Sequence, residues 1–288
     1  MNTVNHFEMT REFPLTEDNF LYLSRLATEK TGIVFGDGKV EMVYTRLCRR
    51  LRQLGLASFD EYIRLLKQDS SGEEISVLVN SLTTNLTTFY RSKEHFSHLK
   101  DTILPEAAER VSNQKNDRIR IWSAGCSTGE EPFSIAMTAI NCLGSQLKYL
   151  DLKILATDID TRMLNHAAAG AYSERAVKDV GAADRLKFFE KVGSGDENKW
   201  RISELTRALI TFKRLNLLEK WPMRGPFDAV LCRNVMIYFD HYAKQKLLER
   251  FSSILRPGGC LYLGSSESVT VSVPGLERAG STIYRRVN

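Results

Sequence analysis

Residues Ile119–Met137 read IRIWSAGCSTGEEPFSIAM, and this stretch decides the fold. A short apolar run, IRIW, ends in a turn carrying Gly125 and Gly129, and the apolar residues that follow suit a helix. Strand, glycine turn and helix in that order open a nucleotide-binding α/β unit. The turn is nevertheless wrong for phosphate. A phosphate loop, G-x-x-x-x-G-K-[ST], sets a lysine against the phosphates. Here only three residues separate the glycines, and Glu130 and Glu131 follow. Two carboxylates beside a triphosphate add repulsion of about 1 kcal/mol or more per close pair. The dinucleotide fingerprint G-x-G-x-x-G is absent too, and a pyrophosphate would meet the same acids.

Outward from this turn, strand-like and helix-like segments alternate from Arg118 onward. They are IRIW, a helix from about Glu131, LKILATD, a helix through TRMLNHAAAG, DAVLCRN, a helix through HYAKQKLLERFSSIL, CLYLGSS and a final STIYRRV. Alternation predicts an α/β fold with a mostly parallel sheet, helices on both faces, and ligands beyond the carboxyl ends of the strands. Between Tyr172 and Phe212 the pattern weakens. There LKFFEKV and WRIS flank a Gly-rich turn, VGSGDEN, which predicts a short antiparallel hairpin inserted at about residues 172–212.

The first ninety residues read as helices only. Periodic apolar positions in TEDNFLYLSRLATEKTG stop at Gly32, and a second helix is expected from about Lys39 to Leu54, with Val40, Val43, Leu47, Leu51 and Leu54 on one face. Ser58 with Glu61 and Ser71 with Glu74 have capping-box form. The Thr- and Asn-rich SLTTNLTTFYRS competes with helix and predicts a linker. The expected partition is a helical domain over 1–80, a linker over 81–92 and the sheet domain over 93–288.

Composition excludes several classes. No apolar run approaches the roughly 20 residues of a membrane span, and MNTVNHFEMTREF lacks the basic start and apolar core of a secretory signal. A cytoplasmic chain with no membrane insertion is expected. The five Cys are single and the five His do not pair at ligand spacing, so no metal site is expected. Residues 1–90 hold 10 Lys+Arg against 12 Asp+Glu, and residues 91–288 hold 30 against 23. Neither part has the concentrated positive charge of a nucleic-acid binder.

A ligand with hydroxyls and positive charge remains. S-adenosylmethionine fits, because it has no phosphate, its ribose diol donates to a carboxylate, and an ammonium and a sulfonium carry positive charge. Asp158 at the end of ILATDID stands where a ribose-binding carboxylate belongs, although 33 positions from Gly125 exceed the usual distance of about 20. Asp160 is expected to cap the next helix. The succession of acidic Gly-turn, strand-end Asp, FDAVLCRN and LRPGGCLYLGSS resembles the Rossmann-like S-adenosylmethionine-dependent methyltransferases.

SLTTNLTTFYR, WSAGCSTGEEPFSIAM, ATDID, LNLL and FDAVLCRNVMIYFD together resemble the chemotaxis receptor methyltransferases, the CheR family, which methylate glutamate side chains of chemoreceptors. The resemblance runs from the N-terminal helices to the last strand. It implies a Rossmann-like methyltransferase sheet, an N-terminal all-α domain and a small inserted antiparallel β-subdomain, with S-adenosylmethionine as cofactor. Carried over by motif, it implies that Asn85, Thr87 and Arg91 close over the cofactor, that Glu131 holds the methionine ammonium and that Asp158 holds the ribose. Asn216 and Leu217 would contact the adenine, Arg233 and Asn234 would sit by the amino-acid end, and Tyr238 would lie beside the transferred methyl. Arg91 and Tyr238 are the expected catalytic pair. The first motif departs from the family in reading SAGCS, where Gly125 is expected to loosen the turn.

The expected partners are cytoplasmic signalling domains of chemoreceptors, with a receptor C-terminal tail peptide adding to the β-subdomain as a strand. From 39 to 52 there are five bases and one acid, and Lys39, Arg46, Arg49 and Arg50 form a candidate docking face for glutamate-rich helices. Two alternatives stand beside this. A nucleic-acid methyltransferase would share the cofactor domain, but CRNVMIYF occupies the place of the Asp/Asn-Pro-Pro-aromatic tetrapeptide. A non-catalytic S-adenosylmethionine-binding module would not be expected to keep Arg91, Glu131, Asp158 and Tyr238 together.

Overall fold

A computed structural model describes residues 11–83, 85–113, 118–193, 199–267 and 273–287. The chain divides into two compact units, one of residues 1–84 with Tyr238–Asp240 and one of Asn85–Ile237 with His241–Asn288.

The first unit is helical: α1 (Glu17–Thr31), α2 (Val40–Leu54), α3 (Phe59–Gln68) and α4 (Glu73–Leu82). Thr16 and Asn19 form a capping box at the start of α1, and Gly32 ends it at φ 73°. Gly55 ends α2 at φ 66° in the same manner. Of the predicted stripe on α2, Val40, Val43, Leu47 and Leu51 are buried and join Leu23, Phe59, Tyr62 and Leu78 in one core, while Leu54 is half-buried against it. Ser58 caps α3 as expected, accepting from Glu61 N–H at 3.3 Å, while Glu61 Oε2 reaches Ala57 N–H at 2.8 Å. The box expected at Ser71 does not form. Gly72 is the cap residue at φ 73°, the Asp69 carboxylate accepts from Gly72 and Ile75 N–H, and Glu74 turns away to Arg50 and Tyr62.

In the second unit, α5 (Lys93–His98) runs through a π-helical turn, Leu99–Ile103, into α6 (Leu104–Asn113). There follow β1 (Ile119–Ala124), α7 (Glu130–Leu143), β2 (Leu152–Asp158), α8 (Thr161–Ala169), β3 (Ala171–Ser173), α9 (Ala182–Phe188), β4 (Phe189–Val192), β5 (Lys199–Ile202), α10 (Glu204–Arg207), β6 (Ile210–Arg214), β7 (Phe227–Cys232), α11 (His241–Ile254), β8 (Leu255–Leu263), β9 (Leu276–Arg278) and β10 (Ile283–Arg286). The main sheet has the order β6-β2-β1-β7-β8-β10-β9. Its first five strands are mutually parallel and β10 is antiparallel to both of its neighbours, β8 and β9, which agrees with the expected mostly parallel α/β sheet.

Alternation along β1 covers both faces. Ile119 and Ile121 pack with Phe96, Leu104, Ala136 and Ala139, whereas Trp122 meets Trp221 at 4.7 Å and Phe251 at 5.4 Å between centroids. The inserted hairpin is antiparallel, pairing β4 with β5 from Phe189↔Ile202 to Val192↔Lys199, and β3 completes a three-stranded sheet. Residues 194–198 of its expected turn lie outside the described residues. The insertion ends before the expected boundary near Phe212. That residue belongs to β6, an edge strand of the main sheet paired parallel to β2, and its alternation, with half-buried Ile210 and Phe212 against exposed Thr211 and Lys213, is too brief to stand out in the sequence.

Candidate cofactor site

Strands β2, β1 and β7 are neighbours in the sheet, so the turns that leave their carboxyl ends adjoin one another. After β1, Gly125 and Cys126 N–H both donate to Thr157 O, at 2.8 and 2.9 Å, and Gly129 N–H donates to Cys126 O at 3.0 Å. Ser127 N–H donates to Asp158 Oδ2 at 2.8 Å. The amides of Gly125, Cys126, Ser127 and Gly129 are thus engaged within the turn. Gly125 does not loosen this turn. It stands at φ 92° with Val235 closed against it, and a Cβ there would collide with Val235 Cγ2.

Four non-glycine residues have left-handed backbone among the described residues: Tyr90 (φ 52°), Ser92 (58°), Ser127 (48°) and Asn234 (59°). All lie in the expected site segments. Such backbone costs on the order of 1–3 kcal/mol per residue and persists where the surroundings impose it, typically at functional sites.

The acids are buried. Asp158, at the end of β2, also accepts from Asp160 N–H at 2.9 Å, and burial pushes its carboxyl up to about 6. Glu131 accepts from Ser123 Oγ at 2.7 Å and from Arg233 Nη1 at 3.0 Å, and burial likewise raises its pKa, opposed by Arg233. Glu130 accepts from Thr128 Oγ1 at 2.6 Å.

The linker joins this cluster. Asn85 O accepts from Ser127 Oγ at 2.9 Å and Asn85 Nδ2 donates to Asp160 Oδ2 at 3.1 Å. Asp160 caps α8 as expected, accepting from Arg162 N–H. Arg233 Nη2 donates to Arg91 O, and the Arg91 guanidinium donates to Leu86 O at 3.0 Å. Thr87 is half-buried within the same segment. Asn216 closes its own turn, accepting from Leu218 N–H at 3.0 Å. The buried Leu217 follows, its carbonyl fixed by Trp221 Nε1 and Arg250. The structure therefore gathers Asn85, Arg91, Glu131, Asp158, Arg233 and Asn234 at one end of the sheet. Tyr238 groups with the first unit, where its carbonyl accepts from Val34 N–H at 2.9 Å and its ring lies 5.2 Å from Lys39 Nζ.

The expected docking cations differ among themselves. Arg49 is exposed and Lys39 half-exposed. Arg50 holds Glu74 through two hydrogen bonds, at 2.9 and 2.5 Å, and Arg46 donates to the carbonyls of Leu82 and Thr83, both at 2.8 Å. Sequence reasoning passed over Glu267, a buried acid in GSSES whose carboxylate binds the backbone after β7. An acid just beyond a strand end was the one signal available.

Residues 18–83 match the all-alpha domain of the CheR methyltransferases and residues 85–284 their S-adenosylmethionine-binding domain. The probable chemotaxis protein methyltransferase of Rhizobium etli is 41% identical over 255 residues, which cover 88% of this chain and 94% of that one. The chemotaxis protein methyltransferase of Escherichia coli is 38% identical over 278 residues, 96% of this chain and 93% of that one. Chemotaxis protein methyltransferase 2 of Pseudomonas aeruginosa is 39% identical over 277 residues, 95% of each. With an acid-rimmed turn at the sheet's carboxyl end and matches of this extent over both units, the chain belongs to the CheR family of S-adenosylmethionine-dependent chemotaxis methyltransferases.

Proposed function

We propose that the chain transfers a methyl group from S-adenosylmethionine to glutamate side chains in the cytoplasmic signalling domains of chemoreceptors. One observation carries the electrostatic part of this reading: buried Asp158 and Glu131 stand at a turn whose Gly125, Cys126, Ser127 and Gly129 amides are engaged within it, an acceptor set suited to hydroxyls and cations and unsuited to phosphates. The residues fit the cofactor. Asp158 would take the ribose diol and Glu131 the ammonium, Asn216 and Leu217 would border the adenine, and Asn85, Thr87 and Asn234 would complete the wall. Arg233 Nε is buried without an acceptor among the described residues, and the cofactor's carboxylate would be one.

When bound, S-adenosylmethionine supplies an electrophilic methyl on sulfur. That methyl would pass to a glutamate oxygen, the C–O bond forming as the S–C bond breaks and its electron pair staying on sulfur. No proton moves. A carboxylate with a pKa of about 4.3 is already ionised at neutral pH, so no general base is required. Because an anion and a cation give neutral products, water favours the reactants, and the protein's task is alignment and exclusion of water. Holding reactants in attack geometry is worth roughly 7–11 kcal/mol. Arg91 and Tyr238 would orient the incoming carboxylate and shield the methyl. In the β-subdomain, β4 is an edge strand of the small sheet, able to accept a receptor tail peptide by strand addition.

The test is incubation with methyl-tritiated cofactor and either receptor-containing membranes or nucleic acid. Label on receptor that mild base releases is the expected result, since methyl esters hydrolyse and methylated bases do not. Base-stable label on nucleic acid would overturn the reading.

A further inference from the structure

Glu267 lies outside the expected site, yet its carboxylate joins two strand ends. Oε2 accepts the N–H groups of Asn234 at 2.6 Å and Gly264 at 2.7 Å, and Oε1 accepts that of Ile237 at 3.1 Å. Its own N–H donates to Gly264 O at 2.9 Å, which closes the turn after β8. There is no spare room in this clasp, because a Cβ on Gly264 would sit 2.6 Å from Glu267 Oε2 and 2.9 Å from Asn234 N. After Cys232 the chain has left β7, so the amides of Asn234 and Ile237 have no ladder partner and need an acceptor. One buried carboxylate provides it, and charge-assisted bonds of this kind are the strong ones. The backbone so held includes the left-handed Asn234, next to Arg233, whose guanidinium reaches Glu131 and Arg91 O.

We propose that Glu267 is a positioning residue of the methyl-transfer site, holding the strained turn at Asn234 and thereby fixing where Arg233 and Asn234 stand toward the cofactor's amino-acid end. The proposal rests on the site assignment made above. A clasp that served the fold alone would affect stability and leave ligand affinity untouched once the chain is folded.

The test is calorimetric titration with S-adenosylhomocysteine of the full chain, Glu267→Gln and Leu248→Ala, each with its melting temperature. Leu248 is a buried residue of α11 and supplies a control for lost stability. Glu267→Gln keeps the shape but sets an NH2 group against at least one of the three amides, and should bind about tenfold more weakly or worse, the loss expected for a charged hydrogen bond. Leu248→Ala should stay within about twofold of the unsubstituted chain at a comparable drop in melting temperature, as a packing change that leaves the clasp's partners in place does. Equal affinity of Glu267→Gln and the unsubstituted chain overturns the proposal, as does parallel weakening of both variants. Should Glu267→Gln not fold, Glu267→Asp, which keeps the charge on a shorter arm, is measured against the same thresholds. An unsubstituted chain that does not bind overturns the site assignment itself, which separates that failure from one confined to Glu267.

Discussion

On the proposed assignment, Asp158 sets the pH behaviour of the site. Its folded pKa of about 6 stands above the ordinary 3.8, so the folded chain favours the protonated acid. The ligand-free protein therefore loses stability as pH rises from about 4 through 6, by on the order of 3 kcal/mol. A ribose diol donates to the ionised form, so cofactor affinity should fall about tenfold per pH unit below 6 and level off above it. Calorimetric titrations from pH 5 to 8 check this: Asp158→Asn should flatten the profile, and a flat profile in the unsubstituted chain would contradict the assignment. Arg91→Ala should lower turnover about a hundredfold, as a misaligned reactant does, and change cofactor affinity far less; radiolabel transfer and equilibrium binding measured together separate the two. At this scale the acids were legible, because an Asp at a strand end and a Glu opening a helix have sequence addresses. Glu267 was not, since its partners are backbone amides of Asn234, Gly264 and Ile237, and an amide carries no residue identity.

At the scale of elements, helix α2 carries two kinds of arginine that look alike in sequence. Arg49 is exposed, so Arg49→Glu should raise the Michaelis constant for receptor at low salt and leave the melting temperature unchanged. Arg50 is bound to Glu74, with side chains 23% and 13% exposed. Its reversal to Glu should instead cost about 1–3 kcal/mol of stability, read from the denaturant midpoint, because it removes a charged hydrogen-bonded pair and adds a like charge. The helix ends at Gly32 and Gly55 follow from local chemistry, as do the apolar stripe of α2 and the cap at Ser58, and all were readable. The box at Ser71 was not, because Asp69 competes for the same amides and Arg50, 24 positions away, takes Glu74. Strand β6 was hidden for a similar reason: its pairing with β2 across the intervening β-subdomain is a long-range fact with a weak local pattern.

At the scale of the molecule, the order of the elements was enough to assign the α/β class, because alternating strands and helices have few ways to bury both faces of a sheet. One buried acid anchors that sheet away from the site. Asp228 accepts from Arg110 Nη2 at 2.6 Å and from Arg120 N–H at 2.8 Å, so Asp228→Ala should lower stability by about 3–5 kcal/mol without touching the cofactor residues, as thermal unfolding would report. The proposed chemistry depends on charge at the other end of the same strands, where the carboxylates of Glu130, Glu131 and Asp158 adjoin the turn after β1. The most direct measurement is a pair of calorimetric titrations of the full chain at pH 7.5, one with S-adenosylmethionine and one with ATP. Saturable heat from the sulfonium compound and none from the triphosphate is the predicted result; tight uptake of ATP with no response to S-adenosylmethionine would contradict it.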